Sequence, residues 1–139
     1  MKNPELCKTI LRRDEGLRLE RYRCSQGTLT IGYGHAHGYI PDTCTLERAE
    51  QWLDSDTERA ERDARALVPD FDSLSDNRQI VLVCMAFQLG ITKMRKFVNT
   101  LQAVNEGRWK DAAKGMLNSL WAKQTPKRVK RLAAMMEVG

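Results

Sequence analysis

The stretch from Leu46 to Leu67 limits the fold more than any other, because it contains neither glycine nor proline and repeats its apolar residues at helical spacing. Leu46, Ala49, Leu53, Ala60, Ala64 and Leu67 recur at steps of 3, 4, 7, 4 and 3, as one buried helix face requires. Thr45 stands at the N-cap position and Pro69 closes the far end. One long helix is therefore predicted over Leu46–Leu67. The step of seven skips a helical position, and that position holds Asp56. A carboxylate on a core-facing stripe needs a partner to stay charged, so a histidine or arginine is expected opposite it.

Shorter elements flank this helix. Asn3-Pro4 pairs an N-cap residue with a proline at the first helical position, Leu6, Cys7, Ile10 and Leu11 share a face, and Gly16 suits a C-cap. A short amphipathic helix over Pro4–Glu15 follows. From Leu17 to Thr30 the period changes: Leu17, Leu19, Arg21 and Arg23 alternate with polar residues and Tyr22, Ser25-Gln26-Gly27 is turn chemistry, and Thr28–Ile31 is β-prone. This reads as a small hairpin, with Gly32, Gly34 and Gly38 in the loop-like stretch after it. Ser73 or Ser75 starts a second helix that runs through Leu89 and is stopped by Gly90. Its segment Ile80–Phe87 is apolar all round, as in a central buried helix. Phe97–Glu106, Trp109–Ser119 and Pro126–Met136 read as further helices, the last introduced by Thr125-Pro126 as N-cap and first position. The fold class is α+β, mainly helical, with one small β element after the first helix.

At 139 residues the chain is one domain's worth, able to bury roughly 68–70% of its unfolded surface without disulfides or a structural metal. The longest apolar run, Ile80–Phe87, falls far short of the roughly 18 residues of a membrane span. Met1–Cys7 lacks the apolar core of a signal peptide, so none is expected. The four cysteines form no C-x-x-C pair and only two histidines are available, which argues against a zinc site and leaves reduced thiols as the default. No cofactor is expected. The net charge of +5, with basic residues gathered in Arg12–Arg23 and Lys123–Arg131, suggests a polyanionic partner: nucleic acid, anionic lipid or an acidic wall polymer.

The chemistry sits where the first helix meets the hairpin. Glu15 ends a helix immediately before Gly16, where the helix dipole disfavours a carboxylate and so suits it to donate a proton. Exposed glutamates end many helices, and the neighbourhood is what sharpens the reading. Asp14-Glu15-Gly16-Leu17-Arg18-Leu19, Tyr22, and Thr28-Leu29-Thr30-Ile31-Gly32-Tyr33-Gly34-His35 closely resemble the active-site region of T-even-type bacteriophage lysozymes, glycoside hydrolase family 24. That family's pattern is a catalytic Glu, eight residues, Asp or Cys, five residues, then Thr, and here Glu15, Cys24 and Thr30 fall on it. The resemblance continues through Thr45–Asp56, Phe87-Gln88-Leu89-Gly90, Arg108-Trp109, Ser119-Leu120-Trp121 and Gln124-Thr125-Pro126-Lys127-Arg128.

The resemblance implies a lysozyme-like two-lobe fold: a β-hairpin lobe over about 16–44, a joining helix over about 46–67, and a helical lobe over about 70–139 plus the helix 4–15. The chain is shorter than the longest members between His35 and Thr45, so the β lobe should be reduced. The implied reaction is hydrolysis of the β-1,4 bond between N-acetylmuramic acid and N-acetylglucosamine in peptidoglycan, generally with inversion. Glu15 would protonate the leaving oxygen, and Cys24 and Thr30 would lie on the water side. A free thiol titrates at about 8.5, so a thiolate at Cys24 needs help from its surroundings. Such a thiolate could polarise a water, or attack the anomeric carbon itself and retain configuration.

By the same resemblance Arg128 pairs with Glu15, His35 and Asp56 form a structural salt bridge, and Ala36, Phe87 and Thr100 contact sugar. Leu120 replaces a position that is basic in some members. Trp121, Cys7 and Cys84 read as core residues. A disulfide between Cys24 and Cys44 would block the active-site thiol. The leading function is an endolysin made in the host bacterial cytoplasm and released to the periplasm and wall through holin lesions. Its partner would be peptidoglycan, with no nucleic acid, no stable membrane insertion and a monomeric state. The other readings are a tail-associated lysozyme domain for cell-wall entry, a catalytically silent peptidoglycan-binding module, and a small helical nucleic-acid binder.

Overall fold

A computed structural model describes all residues, Met1–Gly139. The order is α1 (Pro4–Glu15), β1 (Arg18–Arg23), β2 (Leu29–Gly32), α2 (Leu46–Leu67), α3 (Asp76–Arg95), α4 (Val98–Asn105), α5 (Trp109–Leu117), α6 (Leu120–Gln124) and α7 (Pro126–Val138), with one 3-10 turn at Phe71–Ser73. This is a mainly helical α+β fold with one two-stranded antiparallel sheet. The chain divides into two compact units: Glu5–Arg59, and Met1–Pro4 with Ala60–Gly139. No helix is long and apolar enough to cross a membrane.

In the unit Glu5–Arg59, local signals set the helix ends. The Gly16 amide bonds to the Arg12 carbonyl at 3.0 Å and closes α1. The Arg48 amide donates to Thr45 Oγ1 at 3.1 Å, the N-cap bond expected of α2. Lys8 pairs with Asp54 and Arg12 with Glu50, so two successive turns of α1 are tied to two of α2. In the hairpin Tyr22 faces Thr30 and Arg23 faces Leu29, with an irregularity between Arg18 and Tyr22. The stretch after β2 forms no further strand; a bridge between Glu20 and Thr43, an Arg21–Asp42 ion pair and an Arg21 bond to the Ile40 carbonyl tie it back to β1. Ile31, Ile40 and Trp52 form this unit's core cluster, with Leu29 and Cys44 packed on it.

The apolar stripe of α2 needs one correction. Ala49, Leu53, Ala60 and Ala64 are buried, but Leu46 is 52% exposed. It occupies the first turn, where the helix lies at the edge of what it packs on, and Trp52 supplies bulk to the buried face instead.

In the unit containing Ala60–Gly139, α3 supplies the core through a continuous buried run from Gln79 to Ala86, and Phe87 at its end is half-buried. Ser75 is its N-cap, its hydroxyl accepting from the Arg78 amide. Gly90 breaks the helix as expected, with φ 77° and ψ 162°, a conformation essentially confined to glycine. The helix resumes beyond it to Arg95, which the sequence reading did not anticipate. Helix α6 was missed too. It is a five-residue helix capped by the Ser119 hydroxyl, which accepts from the Ala122 amide. Pro126 holds the first turn of α7, but the Thr125 hydroxyl does not cap it. That hydroxyl donates to the Trp121 carbonyl at 3.3 Å, because α6 ends within reach. Helix α7 packs on α3, α5 and α6, and α4 packs on α5. Cys7 and Cys84 are fully buried, as core residues should be, and Trp121 is buried.

Candidate active site

Glu15 is the last residue of α1 and is partly buried. Its side chain lies over Gly34: a Cβ built on that glycine would sit 2.8 Å from Glu15 Cδ. A side chain there would push the Glu15 carboxyl aside, and the φ of 68° favours glycine as well. The tight turn that places it is held by paired backbone bonds between Ile31 and His35, at 2.9 and 2.8 Å. The Gly-Tyr-Gly sequence signalled a loop, but not that the loop would seat the glutamate.

Cys24 follows β1 at the start of the hairpin turn, where its amide bonds to the Thr28 carbonyl at 3.0 Å. Burial pushes its thiol up. Hydrogen bonds from the Gln26 and Thr28 backbones and from the Thr30 and Thr28 hydroxyls outweigh that, so the thiol titrates below its ordinary value. The hairpin register thus brings Cys24 and Thr30 together. Thr30 is buried, and its hydroxyl donates to the Thr28 carbonyl at 2.9 Å.

Tyr22, which the resemblance places in the active-site region without a role, lies within electrostatic reach of Glu15 and Cys24. Burial raises its phenol, and the charges of Glu15 and then Cys24 raise it further against the lowering effect of Arg18. The Arg18 guanidinium sits 4.3 Å over the Tyr22 ring.

Behind this group lies a buried ion cluster. His35 Nδ1 and Asp56 Oδ2 are 2.7 Å apart, as expected from the gap in the helix stripe. Arg59 joins them, donating to Asp56 Oδ1 at 2.7 Å. Its position three residues along α2 was the available signal. Burial pushes Asp56 up, but His35 and Arg59 together hold it below the ordinary carboxyl value. His35 stacks on Trp52 at 4.4 Å, nearly parallel.

Ala36 follows this cluster and is partly buried. Phe87, Thr100 and Arg128 belong to the other unit. Thr100 is buried on α4, its hydroxyl packed against Gly115 of α5, and Arg128 is buried on α7. All four cysteines are free. The Cys44 amide bonds to Leu19, five residues before Cys24, a separation along a strand of roughly 16 Å. A disulfide needs Cα atoms within about 7 Å, so Cys24 and Cys44 do not pair. No group of three or more His, Cys, Asp or Glu side chains is placed to hold a metal ion.

Residues 12–136 match the profile of the Phage lysozyme family. Probable T4-type lysozyme 2 of Dictyostelium discoideum is 30% identical over 95% of this chain and 94% of its own length. Endolysin of Acyrthosiphon pisum secondary endosymbiont phage 1 is 32% identical over 86% of this chain and 80% of its own. Pre-baseplate central spike protein Gp5 of Enterobacteria phage T4 is 31% identical over 99% of this chain but 28% of its own.

Proposed function

The chain belongs to the phage lysozyme family and is a peptidoglycan-degrading hydrolase, and from that premise we propose that it cleaves the β-1,4 bond between N-acetylmuramic acid and N-acetylglucosamine with Glu15 as general acid. The observation that carries this reading is the seating of Glu15 on Gly34, together with a Cys24 thiol whose titration is lowered by Thr30 and its neighbours. Glu15 gives its proton to the leaving glycosidic oxygen as the bond to the anomeric carbon breaks. A water held at Thr30 attacks that carbon from the other side and passes a proton to the Cys24 thiolate, so configuration inverts. Arg128 serves Glu15 as the cation the resemblance implies, and Ala36, Phe87 and Thr100 contact sugar.

The test is lysis of outer-membrane-permeabilised bacteria by wild type, Glu15→Gln and Cys24→Ser, with muropeptides identified by mass spectrometry. Products ending in reducing muramic acid are expected from wild type. Removing a general acid should cost about 10²–10⁴ in rate. Folded Glu15→Gln with undiminished lysis overturns the assignment, and a trapped glycosyl adduct on Cys24 would replace the inverting course with a covalent one. Arg128→Ala that leaves both activity and stability intact removes Arg128 from the machinery.

The setting proposed is that of an endolysin, the name one relative carries: synthesis in the host cytoplasm and release through holin lesions. A second setting, a tail-associated enzyme of cell-wall entry, is favoured by the spike relative, a much longer protein.

A further inference from the structure

The unit Glu5–Arg59 holds a cavity of about 740 Å³ that Glu15, Cys24 and Thr30 do not line. That volume lies within the roughly 300–1,000 Å³ of small-molecule sites. One wall is a single face of α2, where Arg48, Trp52, Asp56 and Arg59 follow at helical spacing. The other is the irregular segment from His37 to Thr45. Cys44 and Trp52 line the cavity and pack with Ile31, whereas Thr30, the residue before Ile31 on β2, points to the opposite face of the hairpin. The cavity and the candidate catalytic group are therefore on different sides of the sheet.

Its lining has a definite chemistry. Two guanidinium groups face one carboxylate, and Asp56 is already engaged by His35 and Arg59. Arg48 makes no ion pair; it lies 4.9 Å over the Trp52 ring and bonds only Gln51 within the protein. Its charge is left over for an incoming anion. Tyr39, at the cavity, is 84% exposed, a large aromatic surface with nothing packed over it. Thr43 adds a hydroxyl. An uncompensated cation beside an open aromatic ring and a hydroxyl suits a sugar ring that bears an anionic group.

We propose that this cavity is a second saccharide site, which takes a wall sugar carrying a carboxylate or phosphate and uses Arg48 for the anion and Tyr39 for the ring. The choice of a sugar rests on the lysozyme reading, whereas the anion preference rests on the cavity alone. Such a site would hold the enzyme on a wall strand that it is not cleaving.

Titrations of the intact protein with N-acetylmuramic acid, N-acetylglucosamine 1-phosphate, N-acetylglucosamine and inorganic phosphate, followed at the His37 ring and Trp52 indole resonances, test it. One or both anionic sugars should shift these signals, with the neutral sugar and inorganic phosphate each about tenfold weaker or more. Arg48→Gln should weaken the anionic sugar on the order of tenfold, and Tyr39→Ala should weaken it too. Both side chains are exposed, and near-ultraviolet circular dichroism checks that the variants fold. A response to muramic acid alone identifies peptidoglycan as the source, and one to the sugar phosphate alone identifies a phosphate-bearing wall polymer. No shift with either anionic sugar, equal binding of the neutral sugar, or equal binding of inorganic phosphate overturns the proposal. The readout needs no turnover, so its failure is distinct from an absence of muramidase activity.

Discussion

Cys24 differs from the other three cysteines in a way that alkylation can read. Cys7 and Cys84 are fully buried, and burial raises Cys44. Cys24 is partly exposed and its thiol is lowered, its hydrogen-bond donors outweighing burial. The thiolate is the reactive form, so iodoacetamide should modify Cys24 first and at lower pH than a free cysteine, which titrates at about 8.5. Peptide mapping should show loss of lytic activity in step with that single modification. Equal rates at Cys24 and Cys44 would contradict the lowered thiol. Gly34 makes the second residue-scale prediction. Alanine there meets the Glu15 carboxyl and adopts a positive φ, so Gly34→Ala should lose about 1 kcal/mol or more in urea unfolding. Its kcat should fall more than its stability suggests, because the acid is displaced. Unchanged kcat would mean that the glutamate does not need its seat.

At the scale of elements, the cluster of His35, Asp56 and Arg59 ties the end of the hairpin to α2. Asp56 is buried, and removing one partner of a buried ion pair typically costs about 3–5 kcal/mol. Asp56→Asn should lose that order of stability at neutral pH. Because the folded-state carboxyl titrates below its ordinary value, its contribution is complete above about pH 4 and is lost as pH falls through the folded-state value. The gap between wild type and Asp56→Asn in denaturant midpoints should therefore close in acid. A gap that stays constant down to strong acid would show that packing, not charge, is lost. The ends of α1 and α2 were legible to the residue, because caps and breakers such as Gly16, Thr45 and Pro69 act on their own neighbours. The resumption of α3 beyond Gly90 and the five residues of α6 were not. Their short helical runs are held by packing on neighbouring helices, which outweighs weak local propensity.

For the molecule as a whole, the net charge of +5 bears on the wall it acts upon. Screening shortens to about 3 Å at 1 M salt, so binding to anionic peptidoglycan should weaken steeply with added salt. Sedimentation with purified walls measures this, and salt-independent binding would remove charge as the attraction. What the sequence by itself determined is the order and type of the main elements and the demand for a cation beside Asp56. These rest on periodicity, capping and spacing, which are properties of neighbours along the chain. Only the tertiary structure decided that Leu46 stays exposed while Trp52 is buried, and that Glu15 rests on Gly34. It likewise decided that Thr30 lowers the Cys24 thiol, that Cys44 is out of its reach, and that a cavity lies behind the hairpin. Each of these depends on residues distant in sequence meeting in space, and burial, titration and cavity shape are set by such meetings rather than by any one segment.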